Sequence, residues 1–237
     1  MGKNLIQQAR GKGGPRYRAP SFRYEGEARL PRSSDATQTG TILELVKCQG
    51  HLAPLCRVRF ENGSEALMQA AMGVRVGGTL QNGSQADVTG QGNILSLKDI
   101  PDGTFIFNIE SRPGDGGKYC HTTGTFARVM GRLNGVVTLL LPSRKQREFS
   151  DKCRACIGVV AGSGRADKPF LKAGKMHFHM KARNKRYPSI RAGAQNAVDH
   201  PYGNKRSSRK AKNKPVGHNA PPGRKVGKLW PRRTGRK

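Results

Sequence analysis

The apolar positions of this chain occur in short runs that are separated by turn residues. Residues 55–60 alternate apolar and polar side chains, which is the period of a half-buried strand. Asn62-Gly63 follows, a pair typical of a tight hairpin, and residues 65–68 form the predicted returning strand. The same reading predicts strands at 39–46, 92–97 and 104–109, with a turn at 82–84. Short strands without a long helical period predict a small β-barrel.

A second set of strands is predicted after a break at residues 111–117. One Pro and three Gly among these seven residues indicate a linker or a sharp turn. The later strands are expected at 124–130, 135–141, 144–149 and 156–161, which predicts a second small barrel. Arg144, Lys145 and Arg147 fall on one of these strands, so we expect at least one of them to face outward toward phosphate.

Both ends of the chain carry too few apolar residues to build a core. Residues 1–36 are predicted to form a basic N-terminal arm, extended and ordered by its partner, in which Arg is interleaved with Tyr and Phe. The two barrels are assigned to residues 37–113 and 114–187. Regular patterning fades after Gly162, a single helical turn is expected at 181–186, and residues 188–237 are predicted to be a basic C-terminal extension.

The large positive net charge narrows the possible classes of binding partner. The chain of 237 residues has 44 Lys and Arg against 15 Asp and Glu, a net charge of +29. Residues 33–160 carry a net charge of only +3, whereas residues 161–237 hold 22 basic and 2 acidic side chains. Such an excess needs a polyanion, either nucleic acid or an anionic membrane surface. No apolar run approaches the roughly 20 residues that span a bilayer, and no secretory signal is expected at the start.

The cysteines and histidines raise the question of a metal. Cys153 and Cys156 have CxxC spacing, and the candidates for further ligands are Cys120 with His121, or Cys48 with Cys56. Residues three apart on a strand point to opposite faces, so buried, reduced thiols are the favoured interpretation over zinc or redox chemistry. His177 and His179 would share a face if extended, and we favour RNA partners for them over a metal.

Two glycine-containing segments suggest phosphate or imidazole chemistry. Residues 162–165 resemble part of a phosphate loop but lack its Lys-Ser/Thr and acidic partner, which favours contact with RNA phosphates over nucleotide hydrolysis. In residues 196–204, Asp199 is adjacent to His200. Either the carboxylate orients the imidazole, or Asp199 belongs to an Asx-type turn, and spacing leaves both interpretations open.

Three stretches together resemble one family. Residues 158–169 (GVVAGSGRADKP), 191–203 (RAGAQNAVDHPYG) and 111–117 (SRPGDGG) are similar to stretches of the universal large-subunit ribosomal protein two family. The Gly- and Lys-rich start resembles its archaeal and eukaryotic branch. Asp199, His200 and Pro201 are kept, and the chain departs from the family pattern at Ser163, Gln195, Ala197 and Tyr202.

The resemblance implies a mainly β fold. By this resemblance we expect an OB-fold RNA-binding barrel followed by an SH3-like barrel, with long basic N- and C-terminal extensions, the C-terminal one embedded in rRNA. It implies a structural, non-enzymatic constituent of the large ribosomal subunit, a primary rRNA-binding protein in the cytoplasmic ribosome. That role includes support of subunit association, tRNA binding and the peptidyl-transferase region.

The implied partners are large-subunit rRNA, neighbouring ribosomal proteins and the small subunit at an intersubunit bridge, with no membrane and no small-molecule substrate. No cofactor or metal site is expected apart from structural Mg²⁺ shared with rRNA. The prominent histidine of the family corresponds to His200, for which an RNA-positioning role, rather than a catalytic one, is expected.

The candidate RNA-binding residues are mostly cations of the two ends and of the second barrel: Arg16, Arg18, Arg23, Arg144, Lys145, Arg147, Arg165, Lys168, Lys172, Lys175, Arg183, Lys185, Arg186, Arg191, His200, Lys205, Arg206 and Arg209. The rival interpretations are a metalloenzyme or nuclease that uses the Cys and His residues, an anionic-membrane or heparin-type binder, and a DNA-binding architectural protein.

Overall fold

The computed structural model describes residues 2–32, 36–204 and 216–227, and in these ranges the chain is mainly β. It divides into two compact units. The strand unit comprises Ser21–Pro169, and the basic unit comprises Met1–Pro20 with Phe170–Lys237. Within the described ranges no helix is both long and apolar enough to span a membrane.

Ten strands of the described residues form one sheet in the order β3-β2-β1-β4-β5-β10-β6-β7-β8-β9. Only β4 and β5 pair in parallel among these neighbours. The strands are β1 (Gln38–Val46), β2 (Leu55–Phe60), β3 (Glu65–Gln69), β4 (Thr79–Asn82), β5 (Ile94–Ser96), β6 (Phe105–Phe107), β7 (Ala127–Leu133), β8 (Val136–Leu140), β9 (Gln146–Ser150) and β10 (Arg154–Ile157). The helices are α1 (Ile6–Arg10) and α2 (Ala173–Ala182), with short 3₁₀ turns at Pro15–Tyr17, Ser21–Arg23, Leu97–Asp99, Ser163–Arg165 and Ala192–Ala194.

The predicted β2–β3 hairpin is confirmed. Phe60 N–H donates to Ser64 O (2.9 Å), and Gly63 adopts the positive φ of 78° that the turn requires. The side chain of Asn62 accepts the Ser64 N–H at 2.9 Å, which closes the turn.

Two large hydrophobic cores and one small cluster around Leu55 lie in the strand unit, and β10 contributes to both large cores. Cys156 packs in the first core with Ile42, Val58 and Phe107. Ala155 and Ile157 belong to the second core, which also contains side chains of β5 to β9 and of the connecting loops. Alternation along a strand places successive side chains on opposite faces, so one short strand serves two cores. The mainly β class is therefore confirmed, and two cores agree with an OB-fold and an SH3-like domain; the boundary at residues 113 and 114 stays a prediction.

The 111–117 segment is a sharp turn. Gly114, Gly116 and Gly117 all have φ between 80° and 88°. Asp115 holds the turn, since its carboxylate accepts N–H groups from Ser111 (3.0 Å) and Gly117 (3.2 Å). A Cβ at Gly117 would lie 2.1 Å from the side-chain oxygen of Asn108, so only glycine fits there.

A buried ion pair lies directly before this turn. Glu110 is 0% exposed, and Arg154 at the start of β10 is 7% exposed. Arg154 Nη2 donates to Glu110 Oε1 (2.8 Å) and its backbone N–H to Oε2 (2.9 Å). Arg154 Nη1 donates to the carbonyl of Pro31 at 2.7 Å. One guanidinium thereby joins β10, the segment after β6 and the segment before β1.

Several expected element boundaries are wrong. β4 was not predicted, because its four residues are too short to show alternation. The 144–149 strand is β9 at Gln146–Ser150, so Arg144 (φ 62°) and Lys145 precede it in the turn. The 156–161 strand is β10 at Arg154–Ile157.

The two ends also differ from the expectation. Of the helical turn expected at 181–186, only Lys181 and Ala182 are helical, as the end of the ten-residue α2, and the N-terminal arm contains α1 and two 3₁₀ turns. Neither helix has a fully buried residue, so neither shows the apolar periodicity that predicts a helix.

The first testable prediction concerns the buried pair. Replacing Arg154 with Met leaves the Glu110 carboxylate buried without its cation, which is expected to lower the free energy of unfolding by about 3–5 kcal/mol. Urea denaturation followed by circular dichroism measures this change.

Arg59→Met is the matched control, because the Arg59–Glu65 pair (2.7 Å) is solvent-exposed on both sides. It is expected to cost less than about 1 kcal/mol. Equal losses in the two variants would contradict a dominant role for the buried pair.

Candidate nucleic-acid interface

The end of α2 fixes the position of several cations. After Ala182 the chain forms a Schellman turn, in which Lys185 N–H donates to Met180 O (2.9 Å) and Asn184 N–H to Lys181 O (3.0 Å). Asn184 has φ 52°, a left-handed conformation that Asn tolerates. Its side-chain amide donates to the carbonyls of Pro15 (2.6 Å) and Arg18 (2.8 Å). The N-terminal segment is thereby fastened to the end of α2.

This arrangement gathers five cations around one pocket of about 400 Å³, here called the cationic pocket. The described residues that line it are Arg10, Tyr17, Arg18, Ala19, Arg183, Asn184, Lys185 and Arg186, and none of them is acidic. Arg18 Nε is used internally, since it donates to Gly13 O at 2.9 Å.

The cationic pocket is chemically suited to phosphate. Guanidinium groups donate paired hydrogen bonds to phosphate oxygens, and Arg stays charged at any physiological pH. Without a carboxylate in the lining, five cations repel one another until an anion enters. Four of the five were predicted from sequence: Arg18, Arg183, Lys185 and Arg186.

A second feature of the basic unit is the loop that carries His200. The imidazole is 8% exposed, and its Nδ1 accepts the Tyr202 N–H at 3.1 Å. The ring therefore holds its proton on Nε2 when neutral. It also contacts the Tyr202 ring at 5.3 Å between centroids, and burial lowers its pKa. Neither open interpretation matches the hydrogen bonds of the described residues, because the bond that orients the ring comes from the Tyr202 backbone and not from the Asp199 carboxylate.

The loop is closely packed. A Cβ at Gly203 would lie 2.3 Å from the carbonyl oxygen of Asn196, so glycine is required at this position. Asp199 and His200 both donate their N–H groups to Asn196 O (3.0 and 3.2 Å). Lys3 N–H donates to Val198 O at 2.7 Å, so the N-terminus also packs on this loop.

The predicted cations of the strand unit are exposed, and none of them is among the residues that line the cationic pocket. Arg147 is the one on β9, where its guanidinium lies 5.0 Å from the centre of the Tyr119 ring. Arg23 lies 5.2 Å from the ring of Phe22, and Arg165 Nε donates to Thr123 Oγ1 at 3.1 Å. Arg144, Lys145 and Lys168 are exposed.

The other predicted cations of the basic unit are exposed wherever the structure describes them. Arg16, Lys172, Lys175 and Arg191 are exposed. Lys205, Arg206 and Arg209 lie outside the described residues.

Two residues of the cationic pocket, Arg10 and Asn184, were not predicted from the sequence. Asn184 carries a usable signal, because Asn after a helix is typical of a left-handed C-terminal cap; nothing in the local sequence distinguishes Arg10.

The five thiols belong to the strand unit. Cys153, directly before β10, packs in the second core and Cys156 in the first, so the two thiols lie in different cores, as the spacing predicted. Burial raises the pKa of Cys153 to about 11 and that of Cys56 to about 12, so both thiols stay protonated.

His177 and His179 lie on α2, where a spacing of two residues separates them around the helix. In the part of the chain that the structure describes, no three potential ligands cluster for a metal.

Comparison with known proteins agrees with these features. Residues 90–220 match the sequence model of the family described as Ribosomal Proteins L2, C-terminal domain. Proteins named Large ribosomal subunit protein uL2 match the whole chain. The one from Archaeoglobus fulgidus is 45% identical over 235 residues, covering 99% of each chain. The protein from Haloquadratum walsbyi is 45% identical, and the match covers 97% of that protein and all of this chain. The protein from Methanococcoides burtonii is 44% identical, and the match covers all of both chains.

These sequence matches identify the chain as a ribosomal protein, a structural component rather than an enzyme. The chain belongs to the uL2 family of large-subunit ribosomal proteins and is of the archaeal type.

A second prediction tests the fastening of the N-terminal segment. Asn184→Gly keeps the left-handed backbone conformation but removes the amide that donates to Pro15 and Arg18. The loss of two hydrogen bonds is expected to raise amide exchange across residues 15–18 about fivefold or more, given about 1 kcal/mol per bond. Hydrogen–deuterium exchange with mass spectrometry measures this. Gly164→Ala, in open space, serves as a control; unchanged exchange in Asn184→Gly would contradict the assignment.

A third prediction concerns His200. Its pKa is expected below the ordinary value of 6.5, because the ring is buried and neutral in the folded protein. The unfolded ring takes up a proton more readily, so the His200 contribution to stability is present above pH 6.5 and declines as the pH falls below it. NMR titration of the imidazole, with the urea-unfolded chain as reference, measures the shift. Tyr202→Ala should expose the ring and move its pKa upward; a folded-state value at or above the reference would refute the prediction.

Proposed function

We propose that this uL2 protein binds large-subunit rRNA through its basic unit, with the cationic pocket as a phosphate-binding site. The observation that carries the proposal is the convergence of Arg10, Arg18, Arg183, Lys185 and Arg186 on one pocket without an acidic residue in its lining. Neutralising phosphates releases condensed counterions, so affinity depends steeply on salt.

The exposed cations of the strand unit would add backbone contacts to the same RNA. Arg147 over Tyr119 presents a flat guanidinium suited to both stacking and phosphate contact. Arg165 stands in a glycine-bounded turn, where backbone can approach a phosphate closely. These contacts position the protein on folded RNA and carry little sequence information.

The proposal extends to the functions implied by the family. We assign the chain a primary rRNA-binding role in the cytoplasmic ribosome, in contact with neighbouring ribosomal proteins and, at an intersubunit bridge, the small subunit. It supports subunit association, tRNA binding and the peptidyl-transferase region, with Mg²⁺ shared with rRNA as the only inorganic partner. His200 positions RNA, a role for which a neutral ring held by the Tyr202 backbone is suited.

A fourth prediction tests phosphate binding in the cationic pocket. The double variant Arg183→Gln, Arg186→Gln removes two cations from the lining. It is expected to weaken binding to transcribed large-subunit rRNA and to reduce the slope of log affinity against log salt concentration by about two. Filter binding at several KCl concentrations measures both quantities.

The matched control is Arg57→Gln, Arg59→Gln, which makes the same change in net charge. Both of these arginines are already paired, at 2.9 Å with Glu44 and 2.7 Å with Glu65. Equal slopes for the two double variants would contradict a phosphate site in the pocket. A DNA duplex of equal length that competes as well as rRNA would favour a DNA-binding architectural protein instead.

A further inference from the structure

A cleft in the strand unit has a different chemistry from the cationic pocket. It has a volume of about 460 Å³ and lies where β3 ends, between the loop after β1 and the residues that follow the 111–117 turn. Gln69, the last residue of β3, lines it together with His51 and His121. The volume falls in the range of pockets that hold small organic groups.

Two buried polar atoms of this cleft lack a hydrogen-bond partner. They are Oε1 of Gln69, whose side chain belongs to a residue only 2% exposed, and Nε2 of His121. Buried polar groups in folded proteins are almost always paired, so an unpaired group calls for a partner from outside. Two such atoms in residues that line one cleft favour a ligand with hydrogen-bonding groups.

The charges around the cleft are already paired with one another. Glu27 and Arg29 form an ion pair at 2.6 Å, and Lys118 lies 3.6 Å from Asp115, whose oxygens also accept backbone N–H groups of the turn. An incoming phosphate would meet two carboxylates. The cleft therefore suits a neutral ligand, in contrast to the cationic pocket.

The two imidazoles are neutral as well. Burial lowers the pKa of His51, and burial together with the nearby His51 lowers that of His121, although Asp115 opposes the second shift. His51 Nδ1 lies 3.1 Å from Cys48 Sγ, so this ring is held in place. A neutral imidazole offers one donor and one acceptor, and the amide of Gln69 adds further capacity for both.

We propose that this cleft receives a single unstacked nucleobase of the rRNA, whose edge hydrogen-bonds to Gln69 Oε1 and His121 Nε2. The inference rests on the proposed rRNA binding and adds a base-reading site to it. Gln69 Oε1 needs a donor, which the exocyclic amines of adenine, cytosine and guanine supply. Single bases splayed out of RNA are commonly recognised by hydrogen bonds on an edge and by stacking on flat groups such as His or Arg. The guanidinium of Arg29 and the ring of His51 provide such groups here.

The fifth prediction uses Gln69→Met, which keeps the length and shape of the side chain and removes the unpaired amide. The free protein is expected to be as resistant to urea as the unaltered chain, or more so, because a buried unpaired acceptor has gone. Binding to rRNA is expected to weaken about tenfold or more. One base that the unaltered protein protects from dimethyl sulfate, or from a guanine-specific reagent, becomes reactive. His121→Phe should expose the same base.

Gln85→Met is the matched control, because Gln85 is exposed and lies outside the cleft lining. Hydroxyl-radical footprinting of the RNA backbone separates the two proposals. Backbone protection that persists in Gln69→Met while the protection of one base is lost would support the inference.

Three results would overturn it. Backbone protection by the unaltered chain with no base that depends on Gln69 would remove the inference and leave the proposed function standing. No backbone protection at all would remove both. Crosslinks from a photoreactive residue at Leu52 in assembled subunits that reach only a neighbouring protein would assign the cleft to a peptide segment instead.

Discussion

The Glu110–Arg154 pair is the interaction on which the strand unit depends. Withdrawing two charges from water costs several kcal/mol for each ion, and the cost is offset only when the geometry and the surrounding hydrogen bonds are complete. Here they are completed by backbone groups from separate segments: Gly116 N–H donates to Glu110 at 3.3 Å, and the carbonyl of Pro31 accepts from Arg154 at 2.7 Å. The pair is stable only when β10, the 111–117 turn and the segment before β1 are in place together. Since β10 also supplies side chains to both cores, the pair couples their formation.

Ion pairing divides the described chain into two electrostatic regimes. Every ion pair found among the described residues lies in the strand unit, including those of Arg57, Arg59 and Arg132. In that unit carboxylates balance cations, and the net charge stays small. The basic unit has Asp199 as its one described acidic residue. Its Lys and Arg side chains therefore retain their mutual repulsion, which an external polyanion would relieve. The strand unit can fold by burying apolar surface, whereas the basic unit gains most from its partner.

The sequence was informative where a local pattern has a single physical cause. Alternation in Leu55–Phe60 with Asn62-Gly63 specifies a hairpin, and the glycines of 111–117 are required by positive φ angles. The spacing of Cys153 and Cys156 also predicted correctly that the two thiols do not meet, and they lie in different cores. The Glu110–Arg154 pair and Gln69 could not be predicted, because their roles depend on residues 44 or more positions away or on a cleft formed by several loops. The length of α2 was missed because it buries no complete side chain, so no apolar period marks it. Charge composition gave the identity of most cations in the pocket but not their convergence, which depends on the amide of Asn184.

The contrast between the cationic pocket and the neutral cleft bears on how a strongly basic protein achieves specificity. Phosphate contacts are nearly independent of sequence, so five clustered cations attract any nucleic acid. A buried acceptor such as Gln69 Oε1 acts differently, because it destabilises the free protein and is relieved only by a partner with a donor in the right place. Discrimination then comes from the penalty for leaving that acceptor unpaired, which a wrong ligand cannot remove. The long-range attraction and the selective contact can thus be carried by different units of the chain, and each can change in evolution without disturbing the other.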